Sequence, residues 1–393
     1  MPKSRFIIFF SIVLSLYAII NYYIFIRGWE AISAIAPLRA VYVAVFLILS
    51  ISFIAGRILE RRFISWFTTL LVWIGAVWLG TMVYFLFAVI VLDAFRIANL
   101  IIHFFPAFLT ADYESIKQIT AVFVVCIVGI VVFAGFLNAR APRIRTLDIA
   151  IPKFNPGRKT FTIAMASDIH LGTIISTKRL NRIITKINAL NPDIVLLPGD
   201  VFDEDIGPVI RKNLGDHLRQ IQSRFGVFAI TGNHEYIGGV DAACDYMEKH
   251  GVRVLRDEII TIDKSIHLIG REDRSIAGFS GKSRKSLEEL IAGITDNPTS
   301  KIDKNNPIIL MDHQPFHLEE AVQNGVDLQL SGHTHHGQLW PFNFITKRVY
   351  ELSWGYKKKE NTHFYVSCGV GTWGPPIRTG NRPEIIHIQL TFA

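Results

Sequence analysis

Five short polar clusters recur along the second half of the chain, each built from side chains able to hold a metal ion. They are Asp168 to His170, Gly199 with Asp200, Gly232 to Glu235, Asp312 to Gln314, and Gly332 to His336. Carboxylate, imidazole and amide oxygen donors without thiolates suit divalent ions such as Mn, Fe or Zn in a reactive setting better than a cysteine-bound structural zinc. Two such ions sit about 3.5–4 Å apart only when an anion bridges them, and an aspartate carboxylate can serve. The pair neutralises a phosphate and supplies a nucleophilic water at neutral pH. Asp168 and His170 are two residues apart, as are His333 and His335, so in extended backbone each pair points one way and is expected to bind metal. His336 faces elsewhere and is a candidate substrate-facing group. Singly these fragments say little, because a Gly-Asp pair is usually a turn and a lone histidine is usually a satisfied polar residue. Their joint occurrence carries the reading.

Short apolar runs precede all five clusters. Thr160 to Ser167, Asp193 to Pro198, Gly226 to Thr231, Pro307 to Met311 and Val326 to Ser331 read as strands. Between the first two, the spacing of Leu180, Ile183, Ile184 and Ile187 predicts a helix with Thr177 at its N-cap, and further helices fall over Asp241 to Lys249 and His317 to Asn324. Strands alternating with helices predict a layered α/β sheet. Ligands of such sheets bind beyond the carboxyl ends of the strands, so five distant segments would deliver their side chains to one rim. Gly199, Gly232, Gly332 and Gly337 would let the backbone turn and approach closely there.

The first third of the chain has a different solvent. Half of the 393 residues are hydrophobic and the mean hydropathy is +0.33, with the excess concentrated before residue 139. Uncharged stretches from Phe6 to Ile26, Ala40 to Gly56, Phe63 to Leu92 and Gln118 to Ala139 meet the roughly 17 to 25 residues a spanning helix needs. The first is longer than the apolar core of a signal peptide and is read as an anchor. Residues 97–109 stay unassigned. Four spans put both termini on one side, together with Lys3, Arg5, Arg57, Arg61, Arg62, Arg140, Arg143, Arg145, Lys153, Arg158 and Lys159. The other side carries only Arg27, Arg39, Arg96 and Lys117, so the termini are expected in the cytoplasm. No ionisable residue lies inside the four stretches, which favours an anchor over a transport pathway. The expected division is a transmembrane anchor over 1–139, a basic juxtamembrane linker over 140–159 and a catalytic domain over 160–393.

The net charge of +8 raises nucleic acid as a partner, but no binding motif accompanies it, and anionic lipid is the simpler partner. Cys126, Cys244 and Cys368 show no paired spacing, which argues against a disulfide framework.

The ordered series DxH, GD, GNHE, H and GHTH resembles the calcineurin-like metallophosphoesterases over Thr160 to the C-terminus. The GHTHHGQ form and the later YVSCGVGTWGPPIRTGNRPEI look like the membrane-associated bacterial branch, which usually has glycine where His336 stands. The resemblance implies a four-layer α/β/β/α sandwich and two divalent ions, manganese foremost. Asp168, His170, Asp200 and His335 would hold one ion. Asp200, Asn233, His313 and His333 would hold the other. His234 would touch the phosphate and protonate the leaving oxygen. Glu235 either orients His234 or is a loop carboxylate. Arg378 would clamp phosphate or pair with Glu384. Asp203 and Gln338 would support the metal shell or cap their loops, and Leu339 to Ile345 reads as a strand or core segment in preference to a contact for an acyl chain or bilayer.

The expected activity is hydrolysis of a phosphodiester or pyrophosphate, for instance of the UDP-diacylglucosamine type, in a lipid-linked substrate at the cytoplasmic face of a bacterial inner membrane. The alternatives are a phosphomonoesterase or nucleotide phosphodiesterase that the anchor merely localises, or a transporter or sensor regulated by the metal domain.

Overall fold

The computed structural model describes residues 3–32, 36–106, 112–153, 155, 158–292, 303 and 305–393. They fall into two compact units, one of Met1–Leu137 with Gly374–Ile377 and one of Asn138–Trp373 with Arg378–Ala393.

The first unit contains the helices α1 (Lys3–Ile32), α2 (Ala36–Glu60), α3 (Trp66–Ile102) and α4 (Tyr113–Asn138), all long and apolar enough to cross a bilayer. Apolar side chains such as Ile19, Phe123 and Ile130 are exposed on them, a cost in water that lipid removes. A capping box between Ser65 and Thr68 starts α3, which satisfies two of the backbone donors that a helix start leaves open. The helix runs on to Ile102 and stops at His103 with φ 49°, so the first part of the unassigned segment extends α3. Residues 107–109 lie outside the described residues. Polar side chains tie the helices together. Asp93 accepts from Arg27 at 2.7 Å, and Trp78 Nε1 donates to Asn21 Oδ1 at 2.9 Å. Arg27 and Asp93 lie just past the apolar stretches read from the sequence, where a charge pair costs less than at mid-membrane.

The second unit is built on two six-stranded sheets. Its strands are β1 (Arg143–Ile151), β2 (Thr160–Met165), β3 (Ile194–Pro198), β4 (Val227–Ile230), β5 (Val252–Val254), β6 (Glu258–Ile262), β7 (Ile266–Gly270), β8 (Ile308–Met311), β9 (Leu328–Ser331), β10 (Gly355–Lys359), β11 (Thr362–Val366) and β12 (Glu384–Phe392). One sheet has the order β1-β12-β2-β3-β4-β5 and the other β10-β11-β9-β8-β7-β6. The strands β2, β3, β4 and β5 run parallel, as do β7, β8, β9 and β11. Alternate residues of the facing strands form a shared core, with Phe161, Ile163 and Met165 of β2 meeting the cluster that holds Ile309, Met311, Leu328 and Leu330. Intervening residues such as Ala164, Val195 and Leu310 are buried too, so both faces of each sheet are covered. On the second sheet's outer side, Leu287, Leu290, Leu318 and Ala321 pack on Ile308, Leu310 and Phe364. Helix α5 (Thr177–Asn188) buries Leu180, Ile183, Ile184 and Ile187, as its spacing predicts, with its cap position at Ser176 rather than Thr177.

The stretch expected to be a linker, residues 140–159, contains β1. It pairs in parallel with β12 from Arg143↔Glu384 to Ile151↔Phe392 and buries Ile149 and Ile151. Arg179 Nη2 donates to Ala139 O at 2.8 Å and Arg182 Nη1 to Arg140 O at 2.7 Å, which pins the chain where it leaves α4.

Candidate metal centre

The loops that follow β2, β3, β4, β8 and β9 meet at one edge. Three turns of chain there require unusual backbone. Asp168 (φ 53°), His170 (φ 52°), Asp200 (φ 52°), His333 (φ 72°) and His335 (φ 45°) all adopt the left-handed region, which costs a non-glycine residue of order 1 kcal/mol or more. Such strain persists where surrounding structure fixes a working geometry. The glycines between them allow close approach. A Cβ on Gly232 would lie 2.2 Å from Asp200 Oδ1, and one on Gly332 would lie 2.3 Å from Asp168 Oδ2.

Two donor groups result. Asp168, His170 and His335 form the first, with Nε2 of His170 and His335 3.0 Å apart and His335 Nε2 3.5 Å from Asp168 Oδ1. Asp200, His313 and His333 form the second, with His313 Nε2 3.2 Å from Asp200 Oδ2. Asn233 joins the second group through Oδ1, 2.8 Å from His333 Nδ1 and 3.3 Å from His313 Nε2. Asp200 Oδ2 also lies 3.9 Å from His170 Nε2, so this carboxylate stands between the groups. An ion with bonds of about 2.1 Å holds neighbouring donors roughly 3–3.4 Å apart, close to the spacings here. His333 and His335 therefore serve different groups and do not point one way, because their backbone is left-handed and not extended.

The electrostatics also fit a cation. Burial, and next the charge of His234, hold His170 down at about 3, while burial and His313 do the same for His333. Burial and His170 hold His335 well below the usual imidazole range. These rings are neutral at ordinary pH, the form that ligates metal. Asp168 Oδ2 is buried with no hydrogen-bond partner, which is expensive unless a cation completes it. His313 Nδ1 donates to the carbonyl of Pro198 at 2.8 Å, which fixes the ring and leaves Nε2 facing Asp200.

His234 lies beside the first group, its ring 4.6 Å from that of His170. Its backbone N–H donates to Asp200 Oδ1 at 2.9 Å, and its Nδ1 is 3.5 Å from Asp203 Oδ1. Burial would lower this imidazole, but Asp200 and Asp203 outweigh it and hold His234 up at about 9. Glu235 does not orient it. Glu235 instead accepts backbone N–H groups from Gly232, Phe202 and Asp200 at 2.7, 2.9 and 3.1 Å, which locks the loops after β3 to the start of α6 (Asn233–Gly238).

Two expected substrate contacts lie elsewhere. Arg378 is fully buried behind the centre, donating to Gly371 O at 2.7 Å with Nη2 3.2 Å from His335 Nδ1. Glu384 accepts from Trp354 and from the Cys368 N–H, and no ion pair joins it to Arg378 among the described residues. His336 Nδ1 lies 3.2 Å from Ser353 Oγ and its ring 5.1 Å from Trp354, away from the donor groups. Gln338 ties the loop after β11, accepting from Trp373 N–H at 3.0 Å.

A cavity of about 470 Å³ opens over the centre. Asp200, Asn233, His234, His333 and His335 line it together with Phe342, Ile345 and Trp373. Sequence reasoning missed Trp373 and Asn381, whose amide donates to the carbonyl of His335. Their roles depend on where distant loops meet, which no local spacing encodes.

Residues 161–337 match the family model for calcineurin-like phosphoesterases. An uncharacterized metallophosphoesterase of Aquifex aeolicus is 33% identical over 58% of this chain and 84% of its own length. One of Campylobacter jejuni is 33% identical over 66% of each chain. A zebrafish transmembrane protein with a metallophosphoesterase domain is 29% identical over 68% of this chain and 62% of its own.

Proposed function

The chain belongs to the calcineurin-like phosphoesterase family, and from that premise we propose that this metal-dependent hydrolase cleaves a phosphodiester or pyrophosphate bond in a lipid-linked substrate. The observation that carries the reading is the cavity itself, which metal donors line together with Phe342, Ile345 and Trp373. A phosphate needs the donors and an acyl group the apolar side chains.

Asp168, His170 and His335 would hold one ion, Asn233, His313 and His333 the other, and the Asp200 carboxylate would serve both. The oxygen and nitrogen donors suit manganese, with iron and zinc also compatible. The ion pair supplies charge neutralisation on phosphate and a nucleophilic water at neutral pH. The chain's own residues do the rest. Protonated His234, oriented by Asp203, gives its proton to the departing oxygen. Trp373 and Ile345 keep water from the substrate's apolar arm. The eleven basic residues expected on one side of the bilayer support a catalytic unit in the cytoplasm of a bacterial cell, at the inner membrane. Hydrolysis of the UDP-diacylglucosamine type fits these requirements.

The test is incubation of a total lipid extract with the purified chain and Mn, compared with Asp200→Asn. A phosphate-bearing lipid consumed by wild type alone is expected. If wild type cleaves bis(p-nitrophenyl) phosphate yet leaves every lipid untouched, the lipid assignment falls and the soluble phosphodiesterase reading replaces it.

A further inference from the structure

The short helix α7 (Asn343–Val349) carries part of the apolar wall, and it buries none of its residues. Phe344, Ile345 and Val349 are all more than half exposed, as are Trp340 just before the helix and Trp373 of the cavity lining. Of the two readings the sequence offers for Leu339 to Ile345, a strand or core segment and a contact for an acyl chain or bilayer, burial favours the second, since only Leu339 of that run is buried among hydrophobic residues. Large apolar side chains standing together in water around a reactive cavity are costly unless something covers them.

Charge identifies the covering. Lys347 and Arg348 lie three and four residues after Phe344, on the same side of the helix, and neither meets a carboxylate among the described residues. Phe342, Ile345 and Thr346 face the cavity on the other side. An exposed aromatic flanked by unpaired cations, with tryptophans at its border, matches the layered chemistry of a bilayer surface, where rings sit at headgroup level and cations meet lipid phosphates. This chain also has four helices long and apolar enough to cross a membrane.

We propose that α7 and its flanking tryptophans form an interfacial docking surface of the catalytic unit, with Phe344 entering an anionic lipid leaflet and Lys347 and Arg348 on its headgroups. Docked in this way, the helix opens the metal cavity towards the leaflet. A lipid-linked phosphate then reaches the centre while its acyl chains stay in apolar surroundings. That consequence rests on the lipid reading, whereas the docking does not.

The experiment uses the full chain in vesicles of phosphatidylethanolamine and phosphatidylglycerol. Cys126 is the exposed cysteine and is removed as Cys126→Ser, since Cys244 and Cys368 are buried. An environment-sensitive label is attached at Phe344→Cys or, as a control on a distant exposed surface, at Asp245→Cys. The label at 344 should be blue-shifted, quenched by nitroxides on lipid acyl chains and shielded from iodide, and the label at 245 should show the reverse. Lys347→Gln with Arg348→Gln, or vesicles of phosphatidylcholine alone, should reduce the quenching. Iodide access at 344 without lipid quenching overturns the proposal. So does a label shielded only by a second copy of the chain, read as self-quenching on dilution with unlabelled protein. Phe344→Ser should hydrolyse bis(p-nitrophenyl) phosphate within twofold of wild type, and an equal loss on this soluble substrate would instead tie the residue to the centre. Lipid quenching at 344 with no lipid consumed upholds docking and removes the substrate reading; consumption without quenching does the opposite.

Discussion

His234 sits between Asp200 and Asp203, whose charges outweigh burial and hold its imidazole up at about 9. Replacing it in His234→Ala should lower kcat by roughly 10²–10⁴ for an alkyl phosphodiester, the usual worth of a general acid. The loss should be much smaller for a nitrophenyl ester, whose leaving group needs no proton. Equal losses on both substrates would remove His234 from that role. The residue identities of the two donor groups were legible because Asp, His and Asn followed strand-like runs five times in order. Their directions were not. The pairing of His333 with His335 assumed extended backbone, whereas left-handed turns at φ 72° and 45° send the two rings to different groups. Arg378 was unreadable for another reason: a guanidinium suits phosphate and carbonyl oxygens alike, and only the position of Gly371 decides which it meets.

At the scale of elements, β1 tests how the catalytic unit is bounded. It lies at the sheet edge, joined to β12 along nine paired positions, and buries Ile149 and Ile151 in the shared core. A chain beginning at Asn138 should therefore give a folded, soluble catalytic unit, and one beginning at Thr160 should aggregate or melt at a markedly lower temperature. Indistinguishable melting curves would show that β1 is dispensable. Its sequence, RIRTLDIAI, does alternate between outward polar and inward apolar positions at its end, but three charges hid the pattern among the basic residues that follow a membrane helix. The helices were easier to read. Four long apolar helices and the amphipathic face of α5 stand as their apolar spacing predicted, since length and period are properties of the local chain. The helix α7 escaped that logic, because a short segment rich in Phe and Ile suits a core and a bilayer contact alike until its exposure is known.

For the whole molecule, the stability of the catalytic unit should depend on metal. Asp168 and Asp200 are both buried at the centre, and Asp168 leaves an oxygen without a partner, so the folded state binds cations that the unfolded chain cannot gather. Manganese at a hundred times its dissociation constant should add about 2.7 kcal/mol per site, visible as a rise in Tm that chelation reverses. A Tm indifferent to both additions would argue against resident ions. The strand order has a further effect, on biosynthesis. β12 fills the place between β1 and β2, although the ribosome makes it after every other strand. Until β12 emerges, the nascent sheet has a gap beside β2, the strand that presents Asp168 and His170, so hydrolytic competence should wait on this strand although every metal donor precedes it in the chain.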